Sequence, residues 1–218
     1  MNIAAQPPVQ ADQTIYLKDY QKPSFLVESI HLDIQVYDDH TLVDSTMVMK
    51  RQATGALVFL GRDLELKSIQ LNGQVLGAAQ YQLDSEQLVI TDAPDEVIVQ
   101  TQVIIHPESN TQLEGLYKAG DLFVTQNEPE GFRKITFYPD RPDVLSVFTT
   151  RVEADKKYPV LLANGNLLET GEVGEDRHFA IWQDPTKKRS YLFDCVIGDL
   201  AVLTECYSTC EGREVALE

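Results

Sequence analysis

Between Ile30 and Val36 every second residue is apolar: Ile30, Leu32, Ile34 and Val36 alternate with His31, Asp33 and Gln35. Period two buries one face of an extended chain and wets the other, which a helix of period 3.6 cannot do. Similar stretches recur down the chain. Asp38-Asp39-His40 reads as a turn, with Leu42–Arg51 as the return strand. Leu57–Leu60, Leu64–Leu71, Tyr81–Leu83, Leu88–Ile90 and the β-branched run Val97–Ile105 continue the series. Asn72-Gly73 is a two-residue pair that tolerates positive φ at both positions, a hairpin signal. After a polar break at His106–Gln112 come Leu122–Gln126, Lys134–Tyr138, Val147–Ala154, Phe179–Gln183 and Tyr191–Val202. Asp140–Leu145 is expected to begin a single helical turn. Pro159–Ala163 and Leu167–Gly171 flank Asn164-Gly165-Asn166 as a second hairpin. About a dozen strands and no helical pattern of ten residues predict an all-β fold, sandwich-like or saddle-shaped. Tyr16–His106 and Gln112–Val202 are candidates for two sub-sheets. Residues 1–15, with Pro7-Pro8, are expected to be a flexible lead-in.

Charge and cysteines narrow the function classes. The chain of 218 residues carries 18 basic and 34 acidic residues, a formal charge of −16. That opposes nucleic acid, whose affinity rests on Lys and Arg neutralising phosphates, and anionic membrane surfaces. A negative field attracts cations such as peptide amino termini; a surface charged for solubility explains the same figure. Cys195, Cys206 and Cys210 are an odd set, so no disulfide framework is expected and a reducing compartment fits better. Cys206 and Cys210 lack a neighbouring His that would complete a zinc site. Residues 1–24 contain no apolar signal-peptide core, and no run nears the ~18 apolar residues of a membrane span. A soluble, cytoplasmic chain is expected.

No self-contained chemistry stands out. His31, His40, His106 and His178 are isolated, expected at surfaces or turns, and none begins a His-Glu-x-x-His motif. Gly-x-Ser-x-Gly and phosphate-binding glycine loops are also lacking. No catalytic residue and no metal ligand is therefore assigned within these residues. What remains is Gln126-Asn127-Glu128-Pro129-Glu130-Gly131-Phe132-Arg133. On an extended strand Gln126 and Glu128 point to one side; Glu130 would follow only if the strand survived Pro129. A carboxylate beside an amide oxygen suits an ammonium group. Arg133 is placed to orient a carboxylate, Asp140 or Asp143. By residue type alone, a polar loop with a surface Arg–Asp pair explains the segment better than a site does.

The ordered words are more specific than their types. Leu113-Glu114-Gly115-Leu116-Tyr117 and Gly120-Asp121 precede Thr125–Arg133; Tyr138-Pro139-Asp140-Arg141-Pro142-Asp143-Val144, Phe148-Thr149-Thr150, Asp155-Lys156, Tyr158–Leu162, Asn164-Gly165-Asn166, Tyr191-Leu192-Phe193 and Gly198-Asp199 follow. From about Leu113 to Leu200, and more loosely back to Tyr16, the chain resembles the amino-terminal domain of the zinc-dependent gluzincin aminopeptidases, in their proteobacterial aminopeptidase N branch. The resemblance implies an all-β domain of mixed and antiparallel sheets over residues 16–204, with residues 205–218 starting the link to a catalytic domain. It implies that Glu128 helps hold the α-ammonium of a peptide substrate and that Gln126 lines the pocket for the first side chain. Glu130 and Arg133 receive no catalytic role. Relatives often carry Cys where Asn127 stands, on the opposite side of the strand. Zinc, its His-Glu-x-x-His helix and a Gly-x-Met-Glu-Asn segment are expected outside this chain, leaving it inactive by itself. The alternative is a stand-alone, non-enzymatic β-sandwich binding or adaptor module.

Overall fold

The computed structural model describes residues 16–217. The expected lead-in over residues 1–15 and the terminal Glu218 lie outside the described residues. In chain order the strands are β1 (Phe25–Val36), β2 (Thr41–Arg51), β3 (Leu57–Leu60), β4 (Glu65–Leu71), β5 (Gln74–Val75), β6 (Gln82–Leu83), β7 (Gln87–Ile90) and β8 (Glu96–Ile105). There follow β9 (Gly115–Ala119), β10 (Leu122–Gln126), β11 (Leu145–Asp155), β12 (Val160–Ala163), β13 (Asn166–Val173), β14 (Arg177–Arg189), β15 (Cys195–Gly198), β16 (Glu205–Ser208) and β17 (Glu214–Leu217). The helical elements among the described residues are four 3-10 turns, at Leu17–Asp19, Pro107–Ser109, Phe132–Lys134 and Ser190–Leu192.

The alternation that opens the sequence becomes the centre of an eight-stranded sheet, ordered β13-β14-β11-β1-β2-β8-β4-β5. Ile30, Leu32, Ile34 and Val36 face the core. Val27 is also buried although it lies three residues from Ile30; a bulge between Val27 and Ser29 absorbs the extra residue and keeps both inward. β1 runs antiparallel to β2 but parallel to β11, pairing Ser29 with Val147 and Gln35 with Glu153. The two halves of the chain are thus woven into one sheet. This overturns the two sub-sheets expected from sequence, because local alternation carries no information about a parallel partner so distant. Smaller sheets complete the fold: β12-β15-β10-β9, β3-β7-β6, and a separate hairpin of β16 and β17.

Several local expectations change with this packing. Asn72-Gly73 does turn, at φ 51° and 80°, into the two-residue β5. Asn164-Gly165-Asn166 is no hairpin: β12 pairs with β15 and β13 pairs with β14, so the chain changes sheets there. Gly165 has φ +97°, and a Cβ on it would lie 2.2 Å from the Gln183 carbonyl oxygen. The same turn chemistry serves a hairpin and a crossing, so the motif alone does not distinguish them. Phe179–Gln183 is the middle of a longer strand that passes through Pro185 to Arg189, beside a bulge between Ser146 and Phe148 of β11. Tyr191–Val202 keeps only Cys195–Gly198 as strand, while Gly115–Ala119 was not anticipated as one. In place of a helical turn over Asp140–Leu145, Arg141–Val144 forms a turn closed by Val144 N–H donating to Arg141 O at 3.1 Å, and Leu145 already begins β11.

Lys134–Tyr138 is not a strand either. Every residue from Gly131 to Asp140 is buried, so neither face is wet. The segment meets one isolated bridge, between Tyr138 and Leu60, and Arg133 O accepts from Arg62 N–H at 2.9 Å. Those contacts and the 3-10 turn satisfy buried backbone groups without a ladder. Phe132 anchors it, edge-on to Tyr138, Phe148 and Phe193 at ring distances of 5.1, 5.8 and 5.2 Å.

Candidate functional site

The site is built where β10 ends. On one side β10 stays paired with β9 as far as Gln126 opposite Gly115. On the other, its ladder with β15 stops at Val124 opposite Val196. Side chains then take over from backbone. Cys195 N–H donates to Thr125 Oγ1 at 2.9 Å, and that hydroxyl donates to Asp194 at 2.8 Å. Asn127, 3% exposed, donates from Nδ2 to Phe193 O at 2.7 Å. Gln126 and Glu128, on either side of it in sequence, are exposed. The out-in-out alternation expected of a strand therefore persists to Glu128, beyond the last residue of β10.

A tight turn then reverses the chain. Gly131 N–H donates to Asn127 O at 3.1 Å. A Cβ on Gly131 would lie 2.4 Å from Gln126 O and 2.8 Å from Asn127 Cα, so only glycine allows this approach. Glu130 adopts φ 76° and turns away to Arg133 Nη1, at 3.3 Å. It does not join Gln126 and Glu128. Gln126 Nε2 donates to the backbone oxygen of Glu128 at 3.3 Å, which leaves its amide oxygen to accept from a ligand. Two acceptors, one charged, on a backbone held from below can receive a cationic donor such as an ammonium.

Below the turn lies a buried polar frame. Of the two acidic partners expected for Arg133, Asp140 is the one used: its Oδ2 lies 3.1 Å from Arg133 Nε and accepts from Arg133 N–H at 3.2 Å. Ser190 donates to the other oxygen at 2.5 Å, and Arg133 Nη2 donates to Asp140 O at 3.1 Å. This is a buried network, not the surface pair that residue types suggested. Asp143 instead binds Arg141 at 2.7 Å, and that hydrogen bond holds its carboxyl below the usual carboxylate range. Lys134, also buried, reaches Asp63 at 3.1 Å, Glu114 at 3.6 Å and the Gln112 amide oxygen. Sequence reasoning missed Thr125, Asn127 and Ser190 as supports of this edge.

Elsewhere, Cys195 is buried and its thiol is pushed up to about 12 by that burial, while Cys206 and Cys210 are exposed; all three are free thiols. His31 and His106 are exposed and His40 stands at its turn, but His178 is half-buried on β14, with Nε2 2.8 Å from Tyr158 O. Among the described residues no three His, Cys, Asp or Glu side chains gather as a metal site would need, so these residues do not fit a zinc ion. No helix among them is long and apolar enough to cross a membrane.

Residues 19–192 match the family model described as the Peptidase M1 N-terminal domain. The chain belongs to the M1 peptidase N-terminal domain family. Within it, the chain is 46% identical over 209 residues to aminopeptidase N of Caulobacter vibrioides, covering 94% of this chain and 24% of the relative. It is 42% identical over 212 residues to aminopeptidase N of Escherichia coli, covering 96% and 24%. The chain thus spans about a quarter of the length of the curated relatives it matches. Among solved structures, Legionella pneumophila aminopeptidase A in complex with aspartic acid superposes with a TM-score of 0.87 at 30% identity, covering 92% of this chain and 24% of that one. An M1 zinc metallopeptidase of Deinococcus radiodurans bound to Tyr-Ser-Ala superposes with a TM-score of 0.74 over 88% of this chain and 46% of that one; at 17% identity it shows the fold alone. The M1 N-terminal domain thus accounts for the mixed sheet, and the edge at Gln126 and Glu128 is its exposed strand end.

Proposed function

We propose that this chain is the substrate-receiving amino-terminal domain of a zinc aminopeptidase that releases amino-terminal residues from peptides. Glu128 binds the α-ammonium of the substrate and Gln126 lines the pocket for its first side chain. The observation that carries the reading is the exposed pair at the end of β10, with Gln126 tied through its Nε2 to the Glu128 backbone. A fixed amine anchor positions only the first peptide bond for cleavage, which is how binding becomes exopeptidase selectivity. The relatives' name, aminopeptidase N, and the aspartic acid bound in Legionella pneumophila aminopeptidase A support it.

In this reading zinc and the bond-breaking groups belong to a catalytic domain of the same polypeptide, outside these residues. Residues 205–218 lead toward that domain, in keeping with the separate pairing of β16 and β17. The formal charge of −16 favours cationic amino termini over nucleic acid or anionic membrane as partners. Three free thiols fit a cytoplasmic location. The test is Glu128→Gln in the full-length enzyme. Loss of a charge-assisted contact lowers kcat/KM by about one to two decades; an unchanged kcat/KM contradicts the role.

A further inference from the structure

Asn127 is the one residue between the two exposed side chains, and it points the other way. It is 3% exposed, its Nδ2 is bonded to Phe193 O at 2.7 Å, and its Oδ1 has no partner among the described residues. An unpartnered buried acceptor is a cost that an apolar residue of the same shape would avoid. What Asn offers in return is the donor. It acts where the β10–β15 ladder has ended, opposite a carbonyl that no strand partner reaches. Its own backbone oxygen then accepts from Gly131 N–H at 3.1 Å, closing the turn that carries Glu128. One residue thereby ties both ends of the Glu128 segment: to Phe193, two residues before β15, through its side chain, and to Gly131 through its backbone.

We propose that Asn127 is a positioning residue, setting where Glu128 and Gln126 stand relative to an incoming ammonium. The inference rests on the amine-anchor reading above. If the 2.7 Å bond is removed, the end of β10 keeps β9 as its only ladder partner at that level, and the turn can move as a unit. Charge-assisted contacts are steep in distance, so displacement of under about an ångström is enough to weaken them.

The experiment uses the full-length enzyme and measures binding by calorimetry, with L-leucine and isocaproate, the same skeleton without the α-ammonium. Asn127→Leu keeps the shape and removes both the donor and the orphaned acceptor; Glu128→Gln is the comparison. Asn127→Leu is expected to weaken leucine roughly five- to twentyfold while isocaproate changes less than about twofold, and for hydrolysis of a leucyl peptide KM rises more than kcat falls. A variant that merely loses stability lowers the active fraction and leaves both dissociation constants unchanged. If Glu128→Gln weakens leucine and Asn127→Leu does not, the positioning role is wrong and the anchor reading stands. If Glu128→Gln also leaves leucine unaffected, the anchor reading itself fails. Should Asn127→Leu not fold, amide exchange in the unsubstituted enzyme decides. The Gly131 amide is expected to be protected before ligand arrives and to change less than about threefold with leucine; free exchange until leucine is added overturns the role.

Discussion

Asp140→Ala tests whether the frame beneath the Glu128 turn is held by a single buried charge pair. The Asp140 side chain is 3% exposed and that of Arg133 9%. The carboxylate accepts from Arg133 N–H, Arg133 Nε and Ser190 Oγ, at 3.2, 3.1 and 2.5 Å. Without it the guanidinium keeps Glu130 Oε2 at 3.3 Å, but that side chain is 65% exposed and screened by water. Orphaning a buried charge in this way costs about 3–5 kcal/mol, a large share of a total near 5–15 kcal/mol. At about 2–4 °C per kcal/mol for a domain of this size, Tm falls by roughly 6–20 °C. Asp140→Asn retains an acceptor oxygen and falls by less. Adding Arg133→Met to Asp140→Ala removes the orphaned charge and recovers a substantial part of the loss. Thermal unfolding of the chain followed by circular dichroism measures all four proteins. A Tm for Asp140→Ala within about 2 °C of the unsubstituted chain, or no recovery in the double variant, refutes the reasoning.

Gly165→Ala combines a φ of +97° with a Cβ 2.2 Å from Gln183 O, so the crossing from β12 to β13 must shift; a loss of about 2 kcal/mol or more in urea unfolding is expected, and an unchanged midpoint contradicts it. In native protein at neutral pH an alkylating reagent reaches Cys206 and Cys210, whereas Cys195, its thiol pushed up to about 12, reacts only after denaturation; three fast thiols in the native state count against the fold. Burial also raises the Tyr138 hydroxyl above its ordinary value. Both groups stay neutral when folded and ionise more easily when unfolded. Their contribution is complete below the ordinary thiol value of 9.0 and is lost as pH rises above it. The urea midpoint therefore declines through the alkaline range, and one that rises there contradicts the burial of these groups.

The strands legible in the sequence were those with one wet face. Ile30–Val36 and Val97–Ile105 read correctly because water enforces their alternation. Lys134–Tyr138, expected as a strand, is none for the opposite reason: from Gly131 to Asp140 every residue is buried, and no period remains to read. The parallel pairing of β1 with β11 leaves no local trace, and neither does the crossing at Gly165, whose turn residues also suit a hairpin. That Gln126 and Glu128 share one side was legible from strand period, which the structure carries through to Glu128; their roles come only from the family resemblance. The support under them was not. Asn127 finds its partner 66 residues away, and Asp140 finds Ser190 50 residues away; such contacts are fixed by tertiary packing. Arg133–Asp140 was half legible: Asp140 was one of two partners the sequence offered, and the pair was expected at the surface rather than buried.

A crystal structure of the full-length enzyme with a slowly cleaved dipeptide bound shows whether Glu128 receives a peptide's amino terminus. A Glu128 carboxylate oxygen is expected within about 3.2 Å of the α-ammonium, with the Gln126 amide oxygen facing the first residue. A bound dipeptide whose ammonium is held entirely by other residues, with Glu128 beyond about 5 Å, contradicts it.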